Sequence, residues 1–134
     1  MKSYLIMLFG LLIGANVMAF EVNPAPQDSS MIYDFPEKMA QFPGGADAMD
    51  LFIRKNLNYP ADLKNGGVGG KVYVQFVVER DGSITNIQVR RSSRNEFLDK
   101  EAVNVVKKMP NWEPGTVRGK KVRVKQTVPI AFIP

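Results

Sequence analysis

The sequence predicts an α+β domain built on a three-stranded antiparallel sheet, a split β-α-β arrangement of strand order 2-1-3 with helices packed on one face. Three observations carry this. Val72, Val74, Phe76 and Val78 alternate with Tyr73, Gln75, Val77 and Glu79, which is the period-two pattern of a half-buried strand. Asp81-Gly82 favours a tight reversal into a return strand, where Ile87 and Val89 alternate with Asn86, Gln88 and Arg90. After a helical stretch, a long third strand places Val122, Val124, Val128, Ile130 and Phe132 on one side and Arg123, Lys125 and Thr127 on the other.

Direction then sets the strand order. If the hairpin runs up and down, a helix crossing back up leaves the third strand parallel to the second and antiparallel to the first, so it pairs with the first. That puts it at an edge. Pro129 agrees, since a residue without an N–H is tolerated on an edge strand and poorly tolerated in a central one. Gln126 interrupts the apolar file of this strand and is expected near an end of the sheet or at a bulge.

Three helical segments precede or connect the strands. From Ala46 to Leu57, Met49, Phe52, Ile53 and Leu57 recur at helical spacing, with Asp47 and Lys55 at the ends that suit the helix dipole. A short turn of helix can begin at Pro60 and end at Asn65-Gly66-Gly67, where glycine supplies a left-handed cap. Ser93-Arg94-Asn95-Glu96 fits a capping box for a third helix, whose Leu98, Ala102, Val105, Val106 and Met109 share one side before Pro110 ends it.

The N-terminal 40 residues read differently. Lys2 precedes an uncharged run from Ser3 to Phe20, and Val17-Met18-Ala19 puts small residues where a signal peptidase reads, so residues 1–19 are expected to be a cleaved secretory signal. Retention as an inner-membrane anchor is the alternative, although Gly10, Gly14 and Asn16 dilute a stretch already short for a bilayer. Residues 20–40, with Pro24, Pro26, Asp28 and paired serines, are expected to be a flexible leader to a domain spanning 41–134.

Composition removes several kinds of chemistry. The chain has no histidine and no cysteine, which excludes Ser-His and Cys-His nucleophile systems, the usual zinc ligands, disulfides and a lipid-modified cysteine. No S-x-x-K run offers a Ser-Lys alternative, and Ser92 and Ser93 sit where a helix cap is needed. Residues 65–71 fail as a phosphate loop because Asn65 replaces the first glycine, Val72 replaces the hydroxyl residue, and a strand follows where one should precede. Glu96, Asp99 and Glu101 cluster at a helix start, where acids serve the dipole. The chain is thus expected not to be an enzyme and to need neither cofactor nor metal. Its formal charge of +5 is spread over strand and helix faces without a nucleic-acid-binding signature, which points to a solvated basic face and no nucleic acid partner. Trp112, the one tryptophan, is expected to anchor the corner between helix and last strand.

Taken together, Phe42-Pro43-Gly44-Gly45, Tyr59-Pro60, Gly67-Val68-Gly69-Gly70-Lys71-Val72, Asp81-Gly82, Leu98-Asp99-Lys100-Glu101-Ala102 and Trp112-Glu113-Pro114-Gly115 with Gly119 and Val122 resemble the TonB C-terminal domain family, particularly its Bacteroidota type in a short stand-alone form. The resemblance implies a periplasmic, protein-binding domain. In that family the domain takes the TonB box, a short N-terminal segment of an outer-membrane transporter, as a strand added to its last strand. On this chain that implies the backbone of Arg123, Val124, Lys125, Gln126, Thr127 and Val128. Five or six ladder bonds at roughly 0.5–1.5 kcal/mol each amount to about 3–8 kcal/mol before the cost of association.

The implied partners are a TonB-dependent outer-membrane transporter and inner-membrane motor proteins, and the same edge is able to pair with a second copy as a homodimer. A leader of about 20 residues reaches roughly 70 Å when fully extended, too short for a role that touches the motor and the outer membrane together. An accessory or competing binding module is therefore expected, with two alternatives: an anchored minimal transducer, or a structural module binding peptidoglycan through the basic face.

Overall fold

The computed structural model describes residues 30–134; the expected signal and the first part of the leader lie outside the described residues. In chain order the elements are β1 (Ile32–Tyr33), α1 (Gly45–Asn56), α2 (Ala61–Asn65), β2 (Gly70–Val78), β3 (Ile84–Arg91), α3 (Glu96–Lys107), β4 (Gly115–Val117) and β5 (Lys120–Phe132).

The strand count and order differ from the expected three-stranded 2-1-3 sheet. The sheet is mixed, with order β1-β5-β2-β3, and β4 pairs with β5 off that path. β5 and β3 flank β2 in antiparallel pairing, while β1 runs parallel to β5, with Ile32 opposite Arg123 and Tyr33 opposite Val124. Two short strands escaped the sequence reading because neither is long enough to display an alternating pattern. The described part of the leader is accordingly held against the sheet, since β1 lies in it and Lys38 bridges Thr116 through backbone hydrogen bonds, as Gln41 just after it bridges Glu113.

β2 and β5 pair without interruption from Gly70–Phe132 to Val78–Val124. Gln126 stands in the middle of this run opposite Phe76, neither at an end nor at a bulge, which corrects the expectation for it. The irregularities fall in the β2–β3 pairing instead, between Tyr73 and Val74 and between Gln75 and Val77. Asn86, at φ 52°, sits in the second of them and breaks the simple alternation expected of the return strand.

One face of the sheet is the core face. Val72, Val74, Phe76, Val78, Val122, Val124, Val128, Ile130 and Phe132 are buried there with Leu98, Ala102, Val105 and Val106 of α3 and Ile53 of α1. Trp112 anchors the corner as expected, edge-on to Phe42 and Phe76 at 5.8 and 5.3 Å between ring centroids. Its backbone N–H donates to the Gly82 carbonyl at 2.8 Å. A Cβ on Gly82, which has φ 89°, would lie 2.2 Å from the Trp112 carbonyl oxygen, so the Asp81-Gly82 reversal and the tryptophan corner are built for each other.

The start of α3 differs from the expected capping box. Asn95 is the cap, its side chain accepting from the Leu98 N–H at 3.1 Å. Asp99 reaches back instead to the Ser93 N–H and hydroxyl, at 2.9 and 2.8 Å, and to the Ser92 hydroxyl. Burial pushes the Asp99 carboxyl up, but these three donors outweigh it and hold the group below the usual aspartate value.

Gly115, in the Glu-Pro-Gly run, marks another close approach. A Cβ there would meet Val124 Cγ2 at 2.6 Å and the Lys38 carbonyl at 2.8 Å. Gly115→Ala is therefore predicted to cost about 2–4 kcal/mol by forcing β4 off β5. Thermal unfolding followed by circular dichroism should show a melting temperature lower by about 10 °C or more.

Candidate functional site

The six residues expected to form a docking strand all lie in β5, and the structure divides them. Val124 pairs on both sides, with Val78 of β2 and Tyr33 of β1. Arg123 is likewise opposite Ile32. From Lys125 onward no described strand pairs with β5 on the side away from β2. The open stretch thus begins two residues later than the expected segment.

Which backbone groups face that opening follows from Pro129. It stands opposite Tyr73 inside the regular β2–β5 ladder, and a residue without an N–H fits there when its nitrogen points away from β2. Along a strand the N–H and C=O of alternate residues face alternate edges. Lys125 and Thr127 consequently direct their backbone groups outward with Pro129, while Gln126 and Val128 bond inward to β2.

Side chains around the opening form two adjoining clefts. The first, about 350 Å³, lies between the segment carrying Asp34, Phe35 and Met39 and the residues Lys125, Gln126 and Thr127. The second, about 230 Å³, runs along Gln126 to Pro129 and is walled by Phe42, Ala46, Met49 and Trp112. Val128 is buried on the core face; Thr127 is exposed; Lys125 pairs with Asp34 at 3.2 Å across an exposed gap. Trp112 Nε1 and Gln126 Oε1 are buried without a hydrogen-bond partner, a donor and an acceptor left unpaired beside the second cleft.

Arg123 fastens the closed part of the strand. Its Nε and Nη2 donate to Glu79 at 2.7 and 3.1 Å, and its Nη1 donates to the Ser30 carbonyl at 2.7 Å, tying β5 to the end of β2 and to the segment that leads into β1. The guanidinium holds the Glu79 carboxyl below its ordinary value of 4.5, opposed by burial and helped by the Thr85 hydroxyl, and Glu79 in turn raises Arg123. The sequence reading assigned Arg123 to the docking strand and missed its partner, because residues 79 and 123 meet only through the β2–β5 register. It also left Phe35 and Met39 within the bounds of the 20–40 leader, although the apolar Met31-Ile32-Tyr33 run was a usable signal.

Because the Glu79 pKa is depressed on folding, its ion pair contributes fully above pH 4.5 and is lost as pH falls through the lower folded-state value. Glu79→Gln is predicted to reduce stability by about 1 kcal/mol near pH 7. The difference from the parent protein should shrink steadily below pH 4.5 in denaturant titrations.

Comparison with known proteins agrees with this geometry. The family model described as Gram-negative bacterial TonB protein C-terminal matches residues 55–134. Protein TonB from two strains of Xanthomonas campestris pv. campestris is 36% identical to the chain over 81 residues, covering 58% of this chain and 36% of theirs. The chain thus matches little more than a third of the length of these relatives. The solution structure of the Helicobacter pylori TonB C-terminal domain superposes with a TM-score of 0.51 at 24% identity, covering 69% of this chain and 86% of that one, a likeness of fold. The chain belongs to the TonB C-terminal domain family, whose members are not enzymes.

Proposed function

We propose that this chain is a periplasmic binding module of TonB-dependent transport across the outer membrane, which takes the TonB-box segment of a transporter as an added strand on β5. The observation that carries the reading is the open side of Lys125, Gln126, Thr127 and Val128 in a domain of this family. Main-chain pairing on a free edge sets the register of an added strand without demanding one side-chain sequence. Arg123 and Val124, paired with β1, become available only if β1 detaches; in the simplest complex the added strand abuts β1.

Export by the 1–19 signal supplies the compartment, and the Phe42-Pro43-Gly44-Gly45 run supports the Bacteroidota type. An accessory or competing role beside a full transducer is one form of this reading. The reading needs no catalytic group.

Among the described residues the longer outer edge of the sheet, on β3, is poorly suited to strand addition. Two irregularities interrupt its pairing with β2, and Arg90 and Arg91 crowd its end with like charge. β5 has neither defect in its open stretch.

Thr127→Pro removes an outward N–H and leaves the bonds to β2 intact, so it should weaken binding of TonB-box peptides at least tenfold while the melting temperature stays within a few degrees. Isothermal titration or amide NMR with peptides copied from the N-terminal segments of the source organism's transporters measures this. Unchanged affinity would remove β5 as the docking edge.

A further inference from the structure

Four large apolar side chains stand exposed within nine residues of one another at the N-terminal side of the open edge: Met31, Ile32, Phe35 and Met39. Phe35 is 92% exposed, far outside the usual environment of a phenylalanine, and Met39 is 41% exposed. Scattered apolar residues on a surface mean little, but these come from one segment, and two of them wall the cleft over Lys125, Gln126 and Thr127.

The segment is fixed from both ends. Ile32–Tyr33 pairs with β5, Arg123 holds the Ser30 carbonyl and Lys125 holds Asp34 before Phe35; after it, Lys38 exchanges backbone hydrogen bonds with Thr116 at 3.0 and 2.9 Å. Phe35 is thereby presented beside unpaired backbone, at a cleft large enough for one or two side chains. These residues precede the part of the chain matched by the family model, which begins at residue 55.

We propose that residues 34–39 form a hydrophobic wall of the docking site, and that the strand added at Lys125 and Thr127 is recognised through a large apolar side chain packed on Phe35 and Met39. This rests on the strand-addition reading above and names the partner's chemistry: an extended segment carrying an aliphatic or aromatic residue where it passes Thr127. A wholly polar strand gains the backbone ladder and leaves Phe35 in water. Asp34, the residue before Phe35 and paired with Lys125, disfavours an acidic residue at the same place.

The experiment uses the full described chain and a transporter-derived peptide that binds it, with each apolar residue of the peptide replaced in turn by serine. Phe35→Ala with Met39→Ala should leave the melting temperature unchanged, as both residues are exposed, and should weaken the unmodified peptide about tenfold. One serine replacement should weaken binding to the parent protein by a similar factor and have little effect on the double variant, the signature of a direct contact. Equal affinity of parent and double variant, with Thr127→Pro still defective, overturns the wall and leaves strand addition standing. If no peptide binds the parent protein, both readings fall.

Discussion

Nine consecutive residue pairs join β2 to β5, from Gly70 opposite Phe132 to Val78 opposite Val124, and the rest of the molecule is arranged around that ladder. It sets Val72, Val74, Phe76 and Val78 beside Val124, Val128, Ile130 and Phe132 on one apolar surface, which α3 and α1 cover. With β3 on its other side, β2 has both edges satisfied, so the hydrogen-bonding capacity left over in the middle of the sheet belongs to β5. The open edge is therefore a consequence of how the core is closed. A change that disturbed the ladder would alter the direction in which Lys125 and Thr127 present their backbone.

The ends of β5 are handled differently from its middle. Beyond the point where β2 stops, β4 pairs with Val122, Lys121 and Lys120, and β1 covers Arg123 and Val124 from the opposite side. Arg123 joins these pieces through Glu79 and Ser30. Past Thr127, Pro129 withholds an N–H from the opening. The exposed ladder is consequently bounded by β1 at one end and interrupted by Pro129, which limits indiscriminate pairing between copies of the chain while leaving room for a chosen strand.

The long elements were legible in the sequence because their patterns repeat. Val72 to Val78 alternates through several periods, and Leu98, Ala102, Val105 and Val106 mark a helical stripe that is buried as expected. Ile32–Tyr33 and Gly115–Val117 are two and three residues long, too short for any period, and both owe their existence to partners distant in sequence. The cap of α3 moved from Ser93 to Asn95 because Asp99 captured the serine hydroxyls, a competition that residue preferences do not rank. At the candidate site, Val124 and Arg123 belonged to the right strand by alternation, yet only tertiary pairing distinguishes them from Lys125 and Thr127. Gln126, read as a disruption, is accommodated in a regular strand at the expense of an unpaired side-chain oxygen.

The size of the opening bears on how tightly it can hold a partner. With Arg123 and Val124 paired to β1, a register that also engages the Lys125 N–H, the outward groups up to Pro129 are the C=O of Lys125, the N–H and C=O of Thr127 and the C=O of Pro129, which at about 0.5–1.5 kcal/mol each supply roughly 2–6 kcal/mol. Association costs an estimated 4–15 kcal/mol in lost translational and rotational freedom. Backbone pairing on this edge therefore falls short of a stable complex by itself, and side-chain burial has to supply the remainder. Two clefts adjoin the edge, one walled by Phe35 and Met39 and the other by Phe42, Ala46 and Met49, so apolar surface is available on the flanks of the added strand. A short ladder that sets register, with flanking apolar contacts that supply affinity, gives a contact that is selective and still releases readily, as the proposed link to a transporter requires.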